Sequence, residues 1–282
     1  MAKPLVFLCM PSHDERVDGR ALDSFYAATL GMCNVCFQDG PERGSPTRAM
    51  ASLLDWNFNK LWCMALNMRG KFNITHFAML HADIQAEPGW LDKLVCEQQG
   101  LMADVVSTVV PFKRPPVGIT STGLGDPKAP RENAGTSGDC RRLTLKEVYR
   151  LPETFCSADA DALQDGTLGY EKGRVLLPNT GCWVCDFKKP WVDVKNANGR
   201  RVFKFSSYHD ITEDTTGQCH AETRGEDFNA GFLWHDLGAK VYATRKVKAV
   251  HWGDHGYSNW PDWGEWETDR SYKALMELRA KA

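Results

Sequence analysis

The chain has 282 residues, with 34 Lys and Arg against 36 Asp and Glu, and a formal net charge of -2. With 43% hydrophobic and 25% charged residues it has ordinary globular composition, and the near-neutral balance speaks against a broadly basic nucleic-acid surface. No run of about 18 apolar residues is present to cross a membrane, and the opening stretch to Pro11 has too short an apolar core for a signal peptide, so a cytoplasmic protein is expected.

In chain order, residues 5–10 read as a first strand ended by Pro11, Ser12 and His13. Leu22, Phe25, Tyr26, Thr29 and Leu30 recur at helical spacing after Gly19. Residues 33–38 read as a second strand stopped by Asp39, Gly40 and Pro41. Met50, Leu53, Leu54, Leu61, Met64, Ala65 and Met68 spell a long helix, with Gly70 at its end. Residues 77–80 form a short apolar strand, followed at once by His81 and Asp83. Pro88 suits the first turn of the next helix, whose apolar stripe is Trp90, Leu91, Leu94 and Val95. Residues 105–110 are another β-branched run, closed by Pro111.

Residues 111–142 are rich in Pro, Gly, Ser and Thr and read as a long loop, of the kind that is either disordered or functional. Residues 143–162 hold short apolar runs with no clear period. Strand character returns over 175–187, around Thr180, Gly181 and Trp183. Residues 227–237 read as a helix with Phe228, Phe232 and Leu233 on its apolar side and Gly238 ending it. Short strands follow at 241–243 and 247–250, then His251, Trp252 and Gly253, and a tail with Trp260, Trp263 and Trp266 before a charged helix. The alternation predicts an α/β fold with a mostly parallel central sheet, helices on both faces, and ligands at the strands' carboxyl ends.

Three clusters carry chemistry. His81 and Asp83 are two residues apart, so in an extended segment they face the same space. A carboxylate there suits Mg²⁺ or Mn²⁺, although a helix-capping Asp reads equally well. Glu226 and Asp227 open a helix, where acidic residues commonly satisfy free N–H groups, or where one serves as a general base. His251 ends a strand, and its value depends on the other two. Ten cysteines include the pairs Cys33/Cys36 and Cys182/Cys185. In strands, residues three apart face opposite sides, so buried reduced thiols are expected rather than zinc ligands.

The order of His81 and Asp83, Pro88 to Asp92, Gly225 to Asp227, Gly238 to Tyr242, and Val247 to Gly253 resembles the GT-A fold glycosyltransferases, most closely the family-two type. The resemblance covers about residues 5–253 and implies one GT-A (Rossmann-like) domain. Its halves would be a nucleotide-sugar-binding part at 1–110 and an acceptor part at 175–282 with the Trp-rich tail, joined by an excursion at 111–174. His81 stands where the family has the first Asp of Asp-x-Asp, and would hydrogen-bond the donor or bind metal weakly. The resemblance makes Asp83 and His251 ligands of Mn²⁺ or Mg²⁺ on the donor diphosphate. It makes Asp227, with Glu226 second, the general base for an inverting transfer, while leaving a retaining outcome open. Pro11, Ser12, His13, Asp39 and Arg48 correspond to nucleotide contacts, and Gly181, Trp183 and Trp252 to the acceptor side.

The implied activity is transfer of a sugar from a nucleoside-diphosphate sugar, such as a UDP-sugar, to a hydroxyl. The acceptor is a saccharide or a hydroxymethylated pyrimidine in phage-type DNA. Lys113, Arg114, Arg131, Arg141 and Arg142 are candidate phosphate contacts for DNA. A nucleotidyltransferase would be expected to carry a glycine-rich loop between Pro11 and Gly31, and none is present. The alternative is a non-catalytic glycan- or nucleic-acid-binding module on a degenerate form of the same fold.

Overall fold

The computed structural model describes residues 3–12, 16–37, 47–50 (as backbone), 53–113, 118–129, 140–162, 173–213, 215–254 and 256–260. In the first half the order is β1 (Leu5–Ser12), α1 (Gly19–Ala27), β2 (Asn34–Cys36), β3 (Thr47–Met50), α2 (Leu54–Phe72), β4 (His76–Leu80), β5 (Ile84–Ala86), α3 (Trp90–Gly100) and β6 (Val105–Thr108). Then come β7 (Ile119–Gly125), β8 (Cys140–Thr144), α4 (Leu145–Arg150), β9 (Thr154–Phe155), α5 (Ser157–Ala162), β10 (Val175–Leu177) and β11 (Cys182–Asp186). The last are β12 (Tyr208–Glu213), β13 (Cys219–Arg224), α6 (Glu226–Asp236), β14 (Val241–Thr244), β15 (Ala249–Trp252) and β16 (Gly256–Ser258).

The central sheet runs β2-β1-β4-β11-β6-β14-β9, with β3 also on β1. β1 pairs in parallel with β2, β3 and β4, and β6 with β14. The fold is therefore mixed α/β with a mostly parallel central sheet, consistent with a Rossmann-like arrangement. β11 is the departure from the expected direction: it lies antiparallel between β4 and β6. The chain reaches it from β10 at the carboxyl edge of β4, where Cys182 pairs with Leu80, so it can only run back down the sheet.

Both faces of this sheet are covered, which is why its strands read as unbroken apolar runs. Val6, Leu8 and Met10 of β1, Ala78 and Leu80 of β4, and Val184 of β11 pack on Phe25 of α1 and Trp90, Leu91 and Leu94 of α3. The alternate residues Phe7, Cys9, Phe77, Met79, Trp183 and Cys185 pack on Phe58, Leu61 and Trp62 of α2 and Trp234 of α6. Cys33 and Cys182 sit on the first face, Cys36 and Cys185 on the second. All four are free. Burial pushes the Cys33 and Cys182 thiols up to about 12, with Asp92 adding to the effect at Cys33, so neither pair offers thiolates for zinc.

Several boundaries differ from the sequence expectation. β1 extends through Pro11 and Ser12, because both pair with β3 rather than ending the strand. Residues 47–50, Arg48 included, are strand, and the helix begins only at Leu54. That helix runs past Gly70 and stops at Asn73, whose left-handed φ of 55° closes it. Pro88 lies just outside α3, whose cap is Gly89.

The expected loop at 111–142 contains real structure. β7 pairs antiparallel with β8 and with β10, forming a three-stranded sheet. Its glycines hid it: a Cβ on Gly123 would meet the Phe228 ring at 2.6 Å, and one on Gly125 the Phe232 ring at 2.4 Å. Glycine replaces the expected apolar side chains because α6 lies directly against β7. Among the described residues no helix is long and apolar enough to cross a membrane. The tail beyond Trp260, with Trp263 and Trp266, lies outside the described residues.

Candidate functional site

β1 has β2 on one side and, after a crossover, β4 on the other, so the strand order reverses between β1 and β4. In open α/β sheets ligands sit outside the carboxyl ends at such a reversal. Ser12 and His81 mark those ends here.

After Leu80 the chain leaves the central sheet through His81, Ala82 and Asp83 and enters β5, which pairs with β15 so that His251 lies opposite Ile84. This register carries His251 to Asp83 across 168 positions: His251 Nε2 is 3.3 Å from Asp83 Oδ2, and the Trp252 N–H donates to the Asp83 carbonyl at 2.8 Å. The other ring nitrogen of His251, Nδ1, faces the Pro111 carbonyl at 2.8 Å. Lys113, two residues on, pairs with the same Asp83 Oδ2. Burial alone would raise the Asp83 carboxyl. Hydrogen bonding to His251 and its charge, with His81 and Lys113, outweigh burial and hold it well below the usual carboxylate range.

His81 is fastened by its N–H to the Gly181 carbonyl at 2.7 Å, and its ring lies 5.0 Å from the Phe58 ring. Burial pushes its imidazole down to about 4, with His251 and Lys113 acting the same way against Asp83, so it is neutral at pH 7. Its Nε2 is buried and has no hydrogen-bond partner among the described residues. Such an atom is costly unless something else satisfies it.

The second carboxylate group lies at the start of α6. This helix feeds β14, which is parallel to β6, so α6 begins at the same carboxyl edge of the sheet. Asp227 is buried; its Oδ1 accepts the Phe228 N–H at 2.8 Å, and its Oδ2 is 3.9 Å from Arg142 Nη1. Burial raises the carboxyls of both Asp227 and Glu226. Arg142 opposes this at both, and the Asp227 charge adds to it at Glu226.

Arg142 joins the two groups. Its guanidinium lies 4.6 Å from the Phe228 ring and 4.9 Å from the Phe112 ring. Phe112 sits between Pro111, which holds His251, and Lys113, which holds Asp83. Arg142 thus links Asp227, 3.9 Å away, to Phe112, the neighbour of the residues that hold His251 and Asp83.

The remaining sequence candidates divide. Gly181 is at the site, but its lack of a side chain serves the protein itself: a Cβ would meet Ile84 Cδ1 at 2.4 Å and Asn179 Oδ1 at 2.7 Å. Trp183 is wholly enclosed by Trp62, Phe77, Phe205 and Trp234, so it faces the core and not an acceptor. Trp252 alternates to the opposite side of β15 from His251, where Arg20 stacks 3.3 Å from its ring and its Nε1–H donates to Gln85. Those protein groups occupy Trp252 on the α1 side. Pro11 and Ser12 end β1; the Ser12 hydroxyl donates to the Arg16 carbonyl, and Asn57 donates to the Ser12 carbonyl. Arg48 pairs by its backbone with Met10. His13 and Asp39 lie outside the described residues.

Three of the basic residues marked for DNA phosphates are partly exposed and have carboxylate partners. Lys113 pairs with Asp83, Arg141 with Glu147, and Arg142 with Asp227. Arg114 and Arg131 lie outside the described residues. Lys113 and Arg142 are the site residues that sequence reasoning assigned elsewhere, and no local pattern in the sequence marks either for this place.

Among the described residues no group of three His, Cys, Asp or Glu side chains is arranged to hold a metal ion. The pair Asp83 and His251 nevertheless suits a cation. The Pro111 carbonyl can only accept, so Nδ1 of His251 is committed to it and Nε2 is the nitrogen turned toward Asp83 Oδ2. Its 3.3 Å separation is close to the roughly 3.0 Å between neighbouring ligands around an octahedral ion with 2.1 Å bonds. Two protein donors would leave the other positions to substrate oxygens and water.

No protein-family model matches the sequence, and no curated protein matches it. Solved structures with a loosely similar chain course include the crystal structure of A197 from STIV, 11% identical, covering 89% of this chain and 86% of that one, with a TM-score of 0.44. Another is CMP:2-keto-3-deoxy-manno-octonic acid synthetase complexed with CTP, 10% identical, covering 86% of this chain and 89% of that one, with a TM-score of 0.38. At TM-scores this low neither likeness carries an argument.

Proposed function

We propose that this protein is a glycosyltransferase of GT-A type that moves a sugar from a nucleoside-diphosphate sugar to an acceptor hydroxyl. The observation that carries the reading is the meeting of Asp83 with His251 at the carboxyl end of β4, at a strand-order reversal; the contact of Asp227 with Arg142, which stacks on Phe112, supports adding Asp227 to that site.

In this reading the donor diphosphate lies over Asp83 and His251. A bound Mn²⁺ or Mg²⁺ there would neutralise charge on the departing diphosphate. His81, neutral and with Nε2 unpartnered among the described residues, donates to or accepts from a donor oxygen. Asp227 takes the acceptor proton as the new glycosidic bond forms. Its buried setting makes it a stronger base than an exposed carboxylate, and Arg142 helps to keep it ionised. Burial raises the Glu226 carboxyl as well, and the charge of Asp227 adds to that rise. Because Lys113, Arg141 and Arg142 each have a carboxylate partner, a saccharide acceptor fits better than DNA.

The test is thermal denaturation with a panel of nucleoside-diphosphate sugars, with and without Mn²⁺. A donor at 100 times its Kd stabilises the folded state by about 2.7 kcal/mol. The reading expects one nucleotide class to raise Tm, and Asp83→Asn to abolish that rise. If no nucleoside-diphosphate sugar raises Tm under either condition, the reading fails.

A further inference from the structure

We infer that Lys113 is a resident counter-cation of the Asp83–His251 pair, and that a divalent cation binds there only by displacing it. This rests on the glycosyltransferase reading only in expecting a metal at the pair.

Asp83 Oδ2 is the contested atom. It accepts from the Lys113 ammonium and lies 3.3 Å from His251 Nε2. A divalent cation held by Asp83 and His251 would need both Oδ2 and Nε2. Lys113 Nζ, in hydrogen-bond contact with the same oxygen, would then be a second positive charge within a few ångströms, in a partly desolvated place. The two cannot share that oxygen without strong repulsion.

Which group yields follows from how each is held. The Asp83 backbone is tied to the Trp252 N–H at 2.8 Å, and the His251 ring to the Pro111 carbonyl at 2.8 Å. The Lys113 side chain is 39% exposed, on a four-carbon stem that can swing away. Lys113 is therefore the movable member. While it stays on Asp83, the carboxylate is already neutralised and attracts a free cation weakly. An incoming diphosphate offers the ammonium another anion and frees Asp83. Cation loading then follows substrate binding instead of preceding it.

The experiment is a Mn²⁺ titration of the full chain, read by the electron paramagnetic resonance signal of the free ion. It compares wild type with Lys113→Met, Lys113→Gln and Lys113→Arg, each alone and combined with Asp83→Asn, with circular dichroism to confirm folding. Losing one charge-assisted hydrogen bond of the competitor should tighten Mn²⁺ binding about tenfold in Lys113→Met and Lys113→Gln. Lys113→Arg should bind like wild type, and Asp83→Asn should erase the gain. Equal or weaker Mn²⁺ binding in both neutral variants overturns the inference. So does a gain that survives Asp83→Asn, or the absence of Mn²⁺ binding in every variant. A protein that fails here yet is stabilised by UDP-sugars keeps the proposed function and loses only this inference.

Discussion

Gly181→Ala tests the local geometry of the site without any ligand. The Gly181 carbonyl holds His81, and a Cβ at 181 would stand 2.4 Å from Ile84 Cδ1, 2.7 Å from Asn179 Oδ1 and 3.4 Å from His81 Nδ1. Ile84 is wholly buried, so its terminal methyl has no open space to enter. Overpacking of this kind costs about 1–3 kcal/mol. Ile84→Val deletes Cδ1 and alone costs about 0.5–1.5 kcal/mol. In the double variant the new methyl enters the space left by the old one. The two effects should therefore fall short of additivity, with a favourable coupling of about 1–2 kcal/mol. Urea unfolding followed by tryptophan fluorescence measures all four proteins. Strict additivity would show that Gly181 and Ile84 are not in contact and would remove the link between β11 and the Asp83 segment.

Asp227→Asn should lower transfer by about 10²–10⁴-fold while leaving donor-induced stabilisation intact, read by steady-state turnover beside thermal shift. Because the Glu226–Asp227 pair is raised by burial and the base must be ionised, turnover should rise with pH beyond the ordinary carboxylate range. A profile flat from pH 5 to about 8 would contradict that assignment. His81 is held neutral in the fold while its unfolded counterpart takes a proton near 6.5. The unfolded chain thus binds more protons as pH falls. Stability should drop from about 6.5 down to about 4, by up to about 3 kcal/mol, and His81→Gln should flatten that part of the curve. Trp183→Ala should cost about 3–5 kcal/mol in chemical unfolding, because the indole is fully enclosed, and a loss under about 1 kcal/mol would contradict its placement.

The central strands were legible because burial on both faces writes a continuous apolar run, as in Phe7 to Met10 and Phe77 to Leu80. The α6 helix was legible for a related reason: Phe228 and Phe232 repeat on one side and Gly238, at φ 72°, ends it. β7 was not, since Gly123 and Gly125 yield their side-chain space to those same phenylalanines. The single strand-like stretch at 175–187 proved to be two strands in two sheets, separated by Pro178 to Gly181, a break that strand propensity alone does not reveal. Asp83 and His251 could be paired in advance only through family resemblance. Their meeting depends on β5, three residues long, finding β15, and no local pattern encodes that choice. Lys113 and Arg142 were visible as charges, but their partners are carboxylates 30 and 85 positions away, which no local pattern reveals.

The most direct test of the account is a crystal structure of the protein with UDP and Mn²⁺. The account predicts the diphosphate against Asp83 and His251, Mn²⁺ bound by both, Lys113 turned from Asp83 to a phosphate oxygen, and Asp227 facing the same cleft. A nucleotide bound elsewhere, or Asp227 opening onto a different surface from Asp83 and His251, would contradict it.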